Sequence, residues 1–140
     1  MSDVLITAGP FTLEARFESV AAPRTSELLR RMAPLEESLV HVRWSGEAVW
    51  VPMGERSLDL PPENATAYPL PGQILLYPGG VSETELIMAY GHCQFASKAG
   101  VLAGNHVLTI VSGVEHLREI GRRTLWEGAQ AFALRLKQAG

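Results

Sequence analysis

An antiparallel β-barrel or sandwich capped by helices is the fold class this sequence predicts. Three observations carry it. Short segments alternate apolar and polar residues at strand period, as where Phe11, Leu13, Ala15 and Phe17 interleave with Thr12, Glu14 and Arg16. A helical pattern follows Ala22-Pro23, and a second, longer one occupies the C-terminal part of the chain. Many short strands with few helices suit a barrel or sandwich and do not suit an alternating α/β fold.

The 140 residues predict one domain, 1–140, because no repeat, low-complexity tract or linker divides them. Hydrophobic residues make up 46% and charged residues 19%, a globular balance. A formal charge of -3 leaves no basic footprint for nucleic acid, and no Lys/Arg cluster suggests an acidic membrane surface. The first residues carry no basic segment followed by an apolar run, and no apolar stretch approaches the roughly 20 residues that span a bilayer. The single cysteine, Cys93, excludes an intrachain disulfide. A cytoplasmic location with no membrane partner is the expectation.

In chain order, Val4–Thr7 and Phe11–Phe17 form a strand pair around Gly9-Pro10. A helix of about three turns runs from Ala22 to Met32, with proline tolerated at its start and Pro34 stopping it. His41 to Pro52 reads as one strand with two chemically different faces. Val40, Val42, Trp44, Ala48 and Trp50 lie on one side, and His41, Arg43, Ser45 and Glu47 on the other. Gly54 to Leu70 is a long, Pro-rich connection of the kind that packs as a functional loop or stays mobile. Ile74–Tyr77 is a short strand ended by Pro78-Gly79-Gly80. In a strand over Glu83–Tyr90, Glu83 and Glu85 share a face with Ile87 and Ala89. Gly91 to Asn105 is loop-like, and His106–Val111 is a further strand. Ser112-Gly-Val-Glu115 has capping-box spacing and launches a helix to about Leu136. Its apolar stripe runs through Val114, Leu117, Ile120, Thr124, Leu125, Gly128, Phe132 and Leu136. That stripe predicts a homodimer, although it would equally cap its own barrel.

Glu47, Glu83 and Glu85 are the carboxylate candidates. Two glutamates on one face repel, and under apolar cover the proton affinity of one rises, as a general acid or base near neutral pH requires. A solvated strand edge would carry the same spacing, because edge charges also deter aggregation. Arg43 suits a substrate carboxylate, held through two parallel hydrogen bonds, or an ordinary surface ion pair. His92 and His106 sit at loop edges, where histidine more often serves structure. The histidines at 41, 92, 106 and 116 and the one cysteine show no zinc spacing, so no metal is expected. No glycine motif for phosphate and no G-x-S-x-G elbow is present.

Several motifs, in order, resemble a family of small bacterial cyclophilin-like proteins of unknown function. They are His41-Val-Arg-Trp-Ser-Gly-Glu47, Glu63-Asn-Ala-Thr66 with Tyr68-Pro69, and Pro78-Gly-Gly-Val-Ser-Glu-Thr-Glu85. Tyr90-Gly91, Phe95-Ala-Ser-Lys98 and Leu102-Ala-Gly-Asn-His106 complete the set, and the similarity runs from about Phe11 to Gln130. The resemblance implies a mainly β, cyclophilin-like closed antiparallel barrel with a short N-terminal helix and, here, a long C-terminal one. Arg43 then falls where prolyl isomerases keep their catalytic arginine. The phenylalanine, glutamine and glycine that follow in those enzymes are replaced by Trp44-Ser45-Gly46-Glu47, so proline isomerisation is not expected.

The family is also similar to the cyclophilin-like domain of cucumopine synthase and to small Pictet–Spenglerases. This implies a cofactor-independent cyclase joining a tryptophan- or histidine-like amino acid to an aldehyde or α-keto acid. Glu47 and Glu85 would do the acid/base work, with Glu83 shifting its neighbour. His41, Arg43, Trp44, Ser45, Tyr90, His92 and Lys98 would bind a carboxylated small molecule, with Trp50 a further stacking surface. A non-catalytic small-molecule-binding domain and a small-amide hydrolase or racemase use the same residues and remain open.

Overall fold

The computed structural model describes residues 2–138, and its architecture is a closed β-barrel with one helix after the second strand and another before the last. The chain runs β1 (Val4–Ala8), β2 (Phe11–Phe17), α1 (Pro23–Met32), β3 (Leu35–His41), β4 (Gly46–Pro52) and β5 (Ala65–Thr66). It continues through β6 (Gln73–Tyr77), β7 (Glu85–Cys93), β8 (Ala96–Ser97), β9 (Gly100–Val101), β10 (Gly104–Ser112), α2 (Leu117–Trp126) and β11 (Gln130–Leu136). Eight strands hydrogen-bond in the order β2-β1-β11-β3-β4-β7-β6-β10, and β10 closes the ring on β2. All the pairings are antiparallel. The mainly β barrel is therefore confirmed. No helix among the described residues is long and apolar enough to cross a membrane.

Alternation does what strand geometry demands. Val4, Ile6, Leu13, Ala15, Leu39, Val49, Val51, Leu86, Met88, Leu108 and Leu134 point into one barrel core. The opposite face of β4, β6 and β7 carries a second apolar cluster of Ala48, Leu75, Tyr77 and Ile87. Residues 93–104 fold back over that outer face, seating Phe95 and Leu102 on it. The Phe95 N–H donates to Ala67 carbonyl at 2.6 Å and the Leu102 N–H to Phe95 carbonyl at 2.9 Å, which holds the cover down. Sheet faces buried on both sides explain why β7 reads as an apolar run after Glu85.

Helix α1 is as the sequence predicts, with Pro23 at its start. Its free N-terminal N–H groups are capped from far away in sequence. Glu63 accepts the Thr25 N–H at 2.8 Å, the Thr25 hydroxyl at 2.7 Å and the Arg24 N–H at 3.2 Å. Although burial alone would raise its proton affinity, these bonds pull the Glu63 carboxyl below its usual range. Asn105 accepts the Glu63 N–H and donates to Thr25 and to the Pro61 carbonyl. The Gly54–Leu70 connection is thus a packed loop.

Several expectations fail. His41–Pro52 is not one strand: β3 ends at His41, residues 42–45 turn, and β4 starts at Gly46. Gly46 adopts φ 101°, and a side chain there would lie 2.7 Å from the His92 carbonyl oxygen. The polar alternation came from a turn that happens to match strand period. Likewise, the C-terminal helix does not reach Leu136. Ser112 ends β10 and no side chain caps the 3-10 turn Val114–His116, and α2 stops at Trp126 before Gly128 reverses the chain at φ 99°. The remainder is β11, inserted between β1 and β3. Phe132 and Leu136 lie four apart, a spacing that fits a helix and, equally, alternate strand positions. Two-sided pairing decides for the strand.

The strand over Glu83–Tyr90 begins instead at Glu85 and runs to Cys93, so Glu83 lies in the preceding loop. The Gly91–Asn105 segment likewise contains the small β8–β9 hairpin. The α2 positions Leu117, Ile120, Gly121 and Thr124 are buried against the barrel. Leu117, Ile120 and Thr124 of the stripe that predicted a homodimer thus cap the chain's own barrel, while Val114, Leu125 and Trp126 stay in solvent, 50%, 53% and 77% exposed.

Leu134→Ala, at a fully buried β11 site, should lower unfolding free energy by about 2–4 kcal/mol in urea titration. Leu125→Ala should change it by less than about 0.5 kcal/mol. Equal effects would contradict the strand assignment.

Candidate active site

The β3–β4 turn, the residues leading into β7 and the β8–β9 hairpin surround one cleft on the outer face of the barrel. It has a volume of about 480 Å³, within the range of small-molecule sites. Val40, His41, Val42, Arg43, Trp44 and Ser45 form one wall, Trp50 of β4 the base, and Ser82, Glu83, Glu85, Ala96, Ser97 and Lys98 the rest. The turn is locked to the hairpin. Ser45 Oγ accepts the Ala96 N–H at 3.0 Å and donates to the Ala96 carbonyl at 3.1 Å, and the Ser45 carbonyl accepts the Gln94 N–H at 3.0 Å. Ser45 therefore shapes the wall with its hydroxyl already engaged.

Glu85 is the unusual group. It pairs with Pro52 and Tyr77 across the sheet, faces the outer apolar cluster, and is only 7% exposed. Burial, reinforced by the neighbouring Glu83 carboxylate, pushes its proton affinity up to about 8. Among the described residues no hydrogen bond offsets this, and the carboxyl favours its neutral form at pH 7. Burial, with Glu85 adding repulsion, also pushes the Cys93 thiol up to about 11, so Cys93 is no thiolate nucleophile. Glu83 accepts the Gly54 N–H at 3.0 Å and stays at the cleft edge. Trp50 is half-buried, whereas Trp44 at the rim is 57% exposed. Arg43 and Lys98 are exposed at the mouth, and neither enters an ion pair among the described residues.

Glu47 is elsewhere. It sits at a β-bulge where β4 meets β7, at the barrel end beneath α2. The His92 N–H donates to it at 2.9 Å and Arg118 of α2 approaches to 3.6 Å. The His92 bond first, then Arg118, hold its carboxyl below the usual range despite partial burial. Beside it, the Tyr90 hydroxyl and His41 Nε2 are hydrogen-bonded at 2.7 Å. The His41 Nδ1–H donates to the Val42 carbonyl at 2.8 Å, because a carbonyl only accepts. His41 thus lines the cleft with both ring nitrogens engaged. Gly121 of α2 leaves the space that the Tyr90 ring fills.

The structure consequently brings together His41, Arg43, Trp44, Ser45, Glu83, Glu85 and Lys98, and it separates Glu47, Tyr90 and His92 from them. The single reactive strand face is replaced by a cleft and a barrel-end cluster joined through the His41–Tyr90 bond. Arg118, Ser82 and Ser97 were not picked out from sequence, because only tertiary contacts bring them to these positions. No group of three or more His, Cys, Asp or Glu side chains is assembled to hold a metal among the described residues.

A cyclophilin-like barrel with a polar, tryptophan-lined cleft on its outer face is the class this geometry defines. Within it the chain belongs to the DUF3830 family of proteins of unknown function, whose model matches residues 4–136. No curated protein matches it in sequence. Among solved structures, McbB in complex with tryptophan matches with a TM-score of 0.76 at 18% identity, over 98% of this chain. The chain spans 45% of that protein's length, and the likeness is one of fold.

The raised Glu85 proton affinity has a thermodynamic signature. The folded state binds a proton that the unfolded chain releases between the ordinary glutamate value and about pH 8, so this group weakens the fold as pH rises through that window. Relative to wild type, Glu85→Gln should gain stability from pH 5 to pH 9, by on the order of 4 kcal/mol at most. A wild-type-minus-variant difference that is flat with pH, measured by urea unfolding, would show that Glu85 is not held neutral.

Proposed function

We propose that the protein is a cofactor-independent cyclase of Pictet–Spengler type. It condenses a tryptophan- or histidine-like amino acid with an aldehyde or α-keto acid in the Glu85 cleft. The observation that carries the reading is a buried carboxyl lining a cleft that is walled by tryptophan and rimmed by two cations without an ion-pair partner among the described residues. The tryptophan bound by McbB on a barrel of the same fold supports an aromatic amino acid as ligand.

The chemistry needs one group that gives a proton and then takes one. The substrate amine adds to the carbonyl carbon, and neutral Glu85 protonates the resulting hydroxyl, which leaves as water and generates an iminium ion. The new Glu85 carboxylate lies beside that cation. The electron-rich ring carbon attacks the iminium carbon, forming the carbon–carbon bond, and the proton it then sheds returns to Glu85. One water is released and nothing is oxidised or reduced. Trp50 and Trp44 offer faces for ring stacking, and Arg43 or Lys98 a partner for a carboxylate. Glu47, held ionised by His92 and Arg118, is a positioning residue at the barrel end in this scheme.

Incubation with tryptophan or histidine and a panel of keto acids and aldehydes should give, by mass spectrometry, a product lighter than the summed substrates by one water. Glu85→Gln should lower kcat by roughly 10²–10⁴-fold. Glu47→Gln should change it by less than about tenfold. Wild-type kcat/KM should fall as pH rises through about 8, where Glu85 loses its proton. Full turnover by Glu85→Gln would reject the scheme. Tight binding of the amino acid without conversion would favour a non-catalytic binding domain on the same cleft.

A further inference from the structure

The cleft carries one cation more than a single carboxylate ligand uses. Arg43 comes from the β3–β4 turn and Lys98 from the tip of the β8–β9 hairpin, so the two charges stand on separate elements locked together by the Ser45–Ala96 bonds. Neither has an ion-pair partner among the described residues, whereas Arg118, Arg122 and Arg123 of α2 are all matched to glutamates. Neither acidic side chain of the cleft forms an ion pair with them. Glu85 is buried in apolar cover, and Glu83 is turned onto the Gly54 N–H. A guanidinium satisfies both oxygens of one carboxylate in a fork, and an ammonium beside it then still lacks a counter-ion.

We infer that the cleft holds two carboxylates at once, one against Arg43 and the other against Lys98. Taken with the cyclase reading, on which this rests, the carbonyl partner is an α-keto acid in preference to a simple aldehyde. The amino acid and the keto acid each keep their carboxylate, only water leaves, and the product is a cyclic secondary amine flanked by two carboxylates. The two cations then set specificity at both substrates, while the buried Glu85 carboxyl carries the proton.

Binding of synthetic products tests this without turnover. The probes are 1-methyl-tetrahydro-β-carboline-1,3-dicarboxylate and the two corresponding monocarboxylates, titrated calorimetrically. The dicarboxylate should bind at least about tenfold tighter than either monocarboxylate. Arg43→Gln and Lys98→Gln, both at exposed positions, should each weaken the dicarboxylate by about tenfold and each spare a different monocarboxylate. No advantage for the dicarboxylate, no binding at all, or equal loss for both monocarboxylates in each variant would overturn the inference. Wild-type turnover of tryptophan with pyruvate and with acetaldehyde separates the two ideas. Discrimination in binding without any turnover leaves the two-carboxylate site and removes the cyclase. Equal turnover of both carbonyl partners without discrimination in binding does the reverse.

Discussion

The clamp between the β3–β4 turn and the strip from His92 to Ala96 is the contact on which the site depends. Gly46 permits the turn to approach the His92 carbonyl, and Ser45 ties it to Gln94 and Ala96 through three hydrogen bonds. That attachment keeps residues 93–104 flat on the outer face of β4, β6 and β7, where Phe95 and Leu102 complete a second apolar cluster. Without that cover Glu85 would be a solvated strand residue with an ordinary proton affinity. With it, a carboxyl is held in apolar surroundings beside a cleft, and each backbone group that makes the clamp is satisfied.

The molecule thus uses its two sheet faces for different purposes. The inner face is a continuous hydrocarbon core, closed at one end by Leu117, Ile120 and Thr124 of α2. The outer face, ordinarily wet in a barrel, is half covered, and the border between covered and open surface is where the cleft lies. The Tyr90–His41 hydrogen bond crosses from the barrel end to the cleft wall, so the packing of α2 bears on the shape of the cleft. A rigid imidazole with both nitrogens engaged acts there as a wall.

Much of the barrel was legible in the sequence because period-two alternation is a local property. The β1–β2 pair, α1, β6 and β10 lie where their residues place them within a few positions. The failures were also local in origin. Residues 41–52 alternate through a turn, and 130–136 satisfy both a helical stripe and a strand. In each case the deciding energy was a partner distant in sequence, the His92 carbonyl for Gly46 and strands β1 and β3 for β11. Glu63, noticed only as part of a motif, serves as a helix cap through contacts 38 and 39 residues away.

The residue types at the site were determined by the sequence alone: an imidazole, a guanidinium, an ammonium, two glutamates and tryptophans, with no cysteine pair. Which glutamate has the raised proton affinity was decided only by the tertiary structure. Glu47 and Glu85 are both strand residues beside apolar neighbours, and nothing local distinguishes their proton affinities. The fold gives Glu47 a backbone N–H and a nearby arginine, so it is an ordinary anion. It gives Glu85 neither, only burial and a neighbouring carboxylate, so it keeps its proton. The solvation and field that set a proton affinity come from whatever surrounds the group in space, and in this barrel those surroundings come largely from segments remote in the chain.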